Sequence, residues 1–171
     1  GYPMTLPLKP KRGGFLRPFG CGWFIKEFLL GNSPHNSLVI EPEVGAPQAD
    51  IFYHYKQALR RVTAEDRAVR QEEKSAKRAK RPINPENIEA LTKIYLERLP
   101  YKSRSCRYHS FVVYFSNLQR LGWVEPSGAV EPSAFQDNYP QGKPRIYFRL
   151  TQKGKSTPDE QWADPRKALY G

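Results

Sequence analysis

The sequence predicts a mainly α-helical protein that carries a small two-stranded β element. Apolar residues recur at helical spacing in several stretches, and two short β-prone runs, 123–126 and 145–151, follow the last of these stretches. At 171 residues the chain is long enough for one ordinary domain with flanking segments. We divide it into a basic Pro/Gly-rich tail (1–18), a helical N-terminal region with a charged helix (19–83), a core region (84–155) and a C-terminal tail (156–171).

The N-terminal region is predicted to begin with a helix at 20–30, followed by a short strand at 38–41. A second helix is expected from Asp50, where apolar residues repeat at three and four. Thr63 and Asp66 have the spacing of a capping box, which predicts that a separate helix starts at Ala64 and ends before Pro82.

The charged helix has two open interpretations. It is either a solvated helix held by pairs four residues apart, such as Glu73 with Lys77, or a basic arm, because "KSAKRAKR" (74–81) is dominated by Lys and Arg.

The clearest predicted helix is "NPENIEALTKIYLERL" (84–99). Asn84 has the residue type of an N-cap, and Pro85 suits the first helical position. We expect a buried stripe on this helix, formed by Ile88, Leu91, Tyr95 and Leu99.

The stretch from 105 to 121 is ambiguous over five residues, since "FVVYF" alone would pass for a buried strand. Over a longer window the apolar residues repeat at helical spacing, which favours a helix with a buried face formed by Tyr108, Phe111, Phe115 and Leu118. Gly122 then permits a turn at the end of that helix.

The segments "LQRLGWVEPSG" and "RIYFRLTQKG" resemble the end of a winged helix-turn-helix domain, as in MarR-like and PadR-like regulators. The aromatic-x-Leu-Thr-x-x-Gly pattern is supplied by Phe148, Leu150, Thr151 and Gly154. The resemblance covers residues 84–154 and implies a winged helix-turn-helix core, with the basic tail and the charged helix as additions. It makes 105–121 a recognition helix and the two strands a wing.

The loop of the expected wing (126–144) departs from this pattern because it is much longer than usual. It contains Glu131 and Asp137, which would repel phosphate, and Phe135 and Tyr139, which need a surface to pack on. A protein contact through this loop is therefore expected beside any nucleic-acid contact.

The charge of the chain indicates a polyanionic partner. The formal net charge is +11 and the isoelectric point is about 9.7, which is typical of proteins that bind nucleic acid.

The resemblance and the charge together single out a set of contact residues. Lys102 and Arg104 are expected to meet phosphates. The first turns of the recognition helix are expected to reach base edges, with Val113 against a thymine methyl group. The full set of predicted DNA-binding residues is Lys102, Arg104, Arg107, His109, Ser110, Val113, Asn117, Arg120, Lys143, Arg145 and Arg149.

Catalytic and metal-binding patterns are not recognised. His35, His54 and His109 are isolated in the sequence, and Cys21 and Cys106 cannot form a zinc site by themselves. We therefore expect no enzyme activity, no metal and no cofactor. The two cysteines do not suggest a disulfide scaffold, so a reducing, intracellular location is expected, either in the cytoplasm or nucleoid or in the nucleus. No run approaches a membrane span and no signal peptide is recognised.

Three functions remain open at this stage. The first is a non-catalytic protein that binds double-stranded DNA, such as a transcription regulator. The second is a structural subunit of a nucleoprotein complex, with a protein partner or homodimer contact through the tails and the long wing loop. The third is RNA binding by the same basic face.

Overall fold

The computed structural model describes residues 19–99, 107–131 and 145–171, which form a mainly helical protein with a small antiparallel sheet. This agrees with the predicted class. The elements in chain order are α1 (Cys21–Leu29), β1 (Ala46–Pro47), α2 (Gln48–Ala79), α3 (Pro85–Arg98), α4 (Tyr108–Arg120), β2 (Val124–Pro126), β3 (Tyr147–Leu150), α5 (Gln152–Ser156), α6 (Asp159–Trp162) and α7 (Pro165–Tyr170). A 3-10 turn at Pro34–Asn36 lies between α1 and β1.

The sheet has β3 in its centre, paired antiparallel with β1 on one side and β2 on the other. Both predicted strands near the C-terminus are confirmed, as β2 and β3. The strand predicted at 38–41 is wrong: this segment pairs with no strand, and Leu38 and Val39 are 56% and 70% exposed. The pairing falls instead to Ala46, which lies opposite Phe148.

The hydrophobic core joins the N-terminal helices to the expected recognition helix. Phe24 of α1, Tyr55 of α2 and Phe115 of α4 belong to one buried cluster. Phe115 meets the ring of Phe148 edge-on at 5.0 Å, which fixes α4 against the sheet. Residues on both sides of the predicted division at 83 and 84 therefore share this core.

Helix α2 is continuous over 32 residues. The prediction that it divides at Thr63 is wrong, because the Thr63 hydroxyl donates to the Leu59 carbonyl one turn earlier, at 2.8 Å. The start is also earlier than expected: the helix begins at Gln48, and Asp50 lies in its first turn and does not cap it.

The distal half of α2 packs against α3, and the chain reverses between them. A row of small buried residues at every fourth position, Ala64, Ala68 and Ala76, allows α3 to approach closely. The helix predicted at 84–99 is confirmed, and the Asn84 side chain accepts a hydrogen bond from the Glu86 N–H at 3.0 Å. We call the distal half of α2 (64–79) together with α3 the arm.

The expected burial of the α3 stripe is wrong. Ile88, Leu91, Tyr95 and Leu99 are only half-buried, and α3 has no fully buried residue. Among the described residues the main neighbour of α3 is α2, which covers one side of the helix and leaves the other side exposed.

The C-terminal segment packs on the core. Trp162 is completely buried and its ring lies 4.8 Å from that of Trp123, while the Trp162 indole donates to the Gly154 carbonyl at 3.1 Å. The predicted tail is thus a folded part of the domain from 156 to 171. In the part of the chain that the structure describes, no helix combines the length and apolar character needed to cross a membrane.

Candidate nucleic-acid interface

Helix α4 has one face fixed in the core and one face exposed. Phe111, Phe115 and Leu118 are at most 1% exposed, as predicted, whereas Val113 on the opposite side is 51% exposed. Tyr108 is 46% exposed, so its predicted burial is only partial, although its ring meets that of Phe52 at 5.1 Å. Among the predicted contact residues on α4 and its N-cap, the exposed ones are Arg107, His109, Ser110, Val113 and Arg120, and Asn117 is half-buried.

The Leu-Thr-x-x-Gly pattern explains how α4 is attached to the sheet. The Thr151 hydroxyl donates to the Gly122 carbonyl at the end of α4 and accepts from the Gly154 N–H at the start of α5. A side chain at Gly154 would place its Cβ 2.2 Å from the Trp123 carbonyl oxygen, so only glycine fits there. Gly122 itself has φ of +73°, which favours glycine. The motif thus sets the direction of α4 relative to β2 and β3.

The C-terminal end of α4 is flanked by α7. The Arg120 guanidinium donates to the Tyr170 hydroxyl at 3.1 Å and lies 5.8 Å from the centre of that ring. Arg120 is therefore exposed but already has a partner, and its predicted contact with DNA stays a prediction.

The cations at the base of the predicted wing are paired with carboxylates. Arg145 forms an ion pair with Asp50 of α2 at 2.7 Å and another with Glu131, whose side chain is almost completely buried. Glu131 was expected to repel phosphate, but it instead holds this arginine. The pair ties the start of β3 to the first turn of α2.

Arg149 has the same kind of surroundings. Its guanidinium lies 3.3 Å from Glu125 of β2 and 3.3 Å from Glu43, which precedes β1. Glu43 also lies 3.8 Å from Lys155. Contacts from Arg145 and Arg149 to phosphate stay a prediction, but these arginines cross-link the sheet and would have to share or leave their carboxylates to make such contacts.

Several predicted residues lie outside the described residues, and the geometry does not bear on them. They are Lys102, Arg104 and Cys106, the loop residues Phe135, Asp137, Tyr139 and Lys143, and the tail 1–18.

A second group of cations lies on α2, on the side of the helix opposite α3. At 100° per residue, the exposed cations of this side lie within one sector, roughly opposite Glu72 around the helix axis. This basic face consists of Arg67, Arg70, Lys74, Lys77 and Arg78. Arg70 is paired with Asp66 at 2.6 Å. The predicted pair of Glu73 with Lys77 does not form within 4 Å, and Lys74, Lys77 and Arg78 have no ion-pair partner among the described residues.

The turn at the end of the arm is held by Glu72, which is 1% exposed. Its carboxylate accepts two hydrogen bonds from the Arg81 guanidinium, one from the Asn84 N–H and one from the Asn87 side chain. The hydrogen bonds from Arg81 and then from Asn84 lower the pKa of Glu72 to about 2. Sequence reasoning missed this residue, although it interrupts a row of alanines at four-residue spacing, and a lone charge in such a row is a usable signal.

A cavity of about 500 Å³ lies between α1, the 3-10 turn and α2. Ser33, His35 and Asn36 have left-handed backbone, and the buried Nε2 atom of His35 has no hydrogen-bond partner among the described residues. Burial lowers the pKa of His35, and the nearby charge of Arg61 lowers it further, so the ring is neutral at pH 7. The walls carry Glu27 and Glu65 as well as Arg61, so this cavity does not favour a polyanion.

Among the described residues, no three His, Cys, Asp or Glu side chains come together as a metal site would require. The imidazole of His54 is stacked 5.4 Å from the ring of Phe28. No protein-family model, curated protein or solved structure matches this chain.

Proposed function

We propose that this chain is a non-catalytic protein of the winged helix-turn-helix type that binds double-stranded DNA, with α4 as its recognition helix. The observation that carries the proposal is the outer face of α4. It is exposed from Arg107 through Val113, and no acidic residue occurs between 98 and 124. Such a face can approach the phosphates and base edges of a major groove without charge repulsion.

The surroundings of α4 support the same function. The helix leads through Gly122 directly into β2, which pairs antiparallel with β3. This arrangement of a helix followed by two paired strands is the one that the resemblance to winged helix domains implies. In a helix-turn-helix protein the helix before the recognition helix crosses the DNA backbone. Here α2 packs against α4 and would take that place.

The runner-up, a purely structural subunit, has lost one of its supports. One of the expected contacts was through the C-terminal tail, but Trp162 of this segment is buried within the chain against Trp123. RNA binding by the same basic surface remains the alternative that an experiment must separate.

The test is fluorescence anisotropy with labelled duplex DNA, single-stranded DNA and duplex RNA, at about 50 and 200 mM salt. We expect duplex DNA to bind most tightly. If about six phosphates are neutralised, the affinity should fall on the order of a thousandfold between these salt concentrations. Folded protein that binds no duplex DNA at the lower salt concentration would refute the proposal. Preferential binding of duplex RNA would mean that the proposed surface binds RNA and not DNA.

A further inference from the structure

We infer that the arm is a second nucleic-acid contact, in which the basic face of α2 binds the sugar-phosphate backbone independently of base sequence. The inference rests on the proposed function for the kind of partner, and it does not depend on α4 reading bases. The occupant is a phosphodiester backbone, because the face offers five cations spread along one helix, and such cations pair with successive phosphates.

Charge is distributed unevenly over the arm. The exposed side of α2 opposite α3 carries the five cations of the basic face. The exposed surface of α3 carries Glu86, Glu89 and Glu97 against Lys93 and Arg98. The arm thus has a basic side and a weakly acidic side. A helix that is merely solvated requires no such segregation, whereas a surface for a polyanion does.

The cations of the wing and those of the arm differ in their partners. At the base of the wing, Arg145 and Arg149 lie against carboxylates. On the arm, Lys74, Lys77 and Arg78 are exposed and are not paired with any described carboxylate. Release of condensed counterions from DNA requires cations that can neutralise phosphates, and the arm supplies them.

The basic face is long enough to span several phosphates. Arg67 and Arg78 are eleven residues apart on one continuous helix, which is about 16 Å along the axis at a rise of about 1.5 Å per residue. Because duplex DNA carries a charge about every 1.7 Å of its axis, the basic face can neutralise several phosphates at once.

The arm is held by hydrogen bonds at both of its ends. The Glu72 hydrogen bonds hold the far end of the arm, and the Arg60 guanidinium holds its base by donating to the carbonyls of Leu96 and Leu99 at 3.0 and 3.1 Å. The basic face is therefore ordered before any partner binds, which lowers the conformational entropy lost on binding.

The experiment compares two double variants that remove the same charge from the two sides of the arm. Lys74→Gln with Lys77→Gln changes the basic face, and Lys93→Gln with Arg98→Gln is the matched control on α3. Glutamine retains helix propensity in both. Equal helical content and equal midpoints of thermal unfolding, measured by circular dichroism, establish that neither double variant changes the fold.

We expect the α2 double variant to lower the salt slope of binding by roughly two and to weaken affinity on the order of tenfold, by similar factors on every duplex sequence. The α3 double variant should change the slope by much less. Equal effects of the two double variants would mean that only net charge matters, and would overturn the inference. Binding by the unaltered chain and by both double variants is measured with duplex DNA and with duplex RNA. If the α2 double variant lowers the salt slope for only one of these duplexes, that duplex supplies the backbone that the arm binds.

The same assay separates this inference from the proposed function by including Arg107→Ala. If the α2 double variant weakens binding while Arg107→Ala leaves affinity and sequence preference unchanged, the arm contact stands and the assignment of α4 fails. If only Arg107→Ala has an effect, the arm contact fails. Absence of binding to every nucleic acid tested refutes both.

Discussion

Glu72 and Arg81 form a bidentate pair across the turn of the arm, with hydrogen bonds of 2.6 and 3.0 Å between the guanidinium and the carboxylate. The two residues are nine positions apart, so the pair exists only when the chain reverses between α2 and α3. The remaining acceptor capacity of the carboxylate is used by Asn84 and Asn87. This buried charge organises the far end of the arm.

The first prediction concerns this pair and pH. The pKa of Glu72 is lowered to about 2 in the folded protein, below its ordinary value, so the ionised carboxylate stabilises the fold at neutral pH. This contribution is present above about pH 4.5 and is lost as the pH falls towards about 2. Glu72→Gln should therefore lower the free energy of unfolding at pH 7, and the difference from the unaltered chain should shrink below pH 4.5. Urea titrations of the two proteins at pH 7 and at about pH 2 test this, with the substitution Glu73→Gln at an exposed position as control. A difference that persists at pH 2 would contradict the prediction.

The second prediction concerns Lys80, which ends α2 in left-handed conformation with φ of +53°. This conformation costs a residue with a side chain roughly 1–2 kcal/mol, and glycine adopts it freely. We expect Lys80→Gly to raise the free energy of unfolding by about 1 kcal/mol. Lys77→Gly, inside the same helix, should lower it by about 1 kcal/mol. Two glycine substitutions with the same sign in thermal unfolding would show that the end of α2 is placed wrongly.

The third prediction tests the inner face of α4. Phe115 is completely buried beside Phe148, so Phe115→Ala should cost on the order of 3–5 kcal/mol of unfolding free energy. Val113→Ala, on the exposed side, should cost less than about 1 kcal/mol. Guanidinium titrations of the two variants provide the measurement. A loss below about 1 kcal/mol for Phe115→Ala would mean that the faces of α4 are misassigned.

The fourth prediction gives Arg145 a structural role. Its removal leaves the buried carboxylate of Glu131 without this partner, so we expect Arg145→Gln to destabilise the fold by roughly 1–3 kcal/mol. The salt slope for duplex DNA should stay unchanged, because this guanidinium is held by carboxylates. Unfolding and binding are measured on the same preparation, with Lys153→Gln as the charge control. A slope lowered by one without any loss of stability would instead support the phosphate contact that the sequence predicts for Arg145.

The fifth prediction concerns Arg107, which is exposed at the N-terminus of α4. If its guanidinium donates two hydrogen bonds to a guanine, Arg107→Ala should cost roughly 1–3 kcal/mol of binding free energy at a selected site and much less on random duplex. The comparison uses a site obtained by selection from a random pool, and Gln119→Ala is the control on the same helix. Equal losses on selected and random DNA would make Arg107 a phosphate contact and not a reader of bases.

The local parts of the fold could be predicted from the sequence because their signals lie close together. The face of α4 with Gly122 after it, and the pattern of Thr151 and Gly154, can each be recognised within a few residues of sequence, and the structure confirms the elements that they predicted. The division of α2 was predicted wrongly because Thr63 can bond within a helix as well as cap one. A capping box does not distinguish these two cases when the residues on both sides favour a helix.

The paired state of the wing cations could not be predicted, because their partners are distant in the chain. Arg145 and Asp50 are separated by 95 positions, and Arg149 and Glu43 by 106. A local count of charge assigns these arginines to solvent or to phosphate. Only the order of the strands, with β3 between β1 and β2, brings the acidic residues beside them.

The continuity of α2 has a geometric consequence. One end of this helix packs in the core beside α4 and the other end carries the basic face, with 32 residues and no break between them. The direction in which the arm faces around the helix axis is therefore set by the number of residues between the end in the core and the basic face. Each residue inserted between Val62 and Arg67 would rotate the arm by about 100° and advance it by about 1.5 Å. Seven inserted residues, close to two full turns, would restore the original heading at a reach about 10 Å greater. The relative orientation of the two proposed contact surfaces is thus set by the length of a single helix.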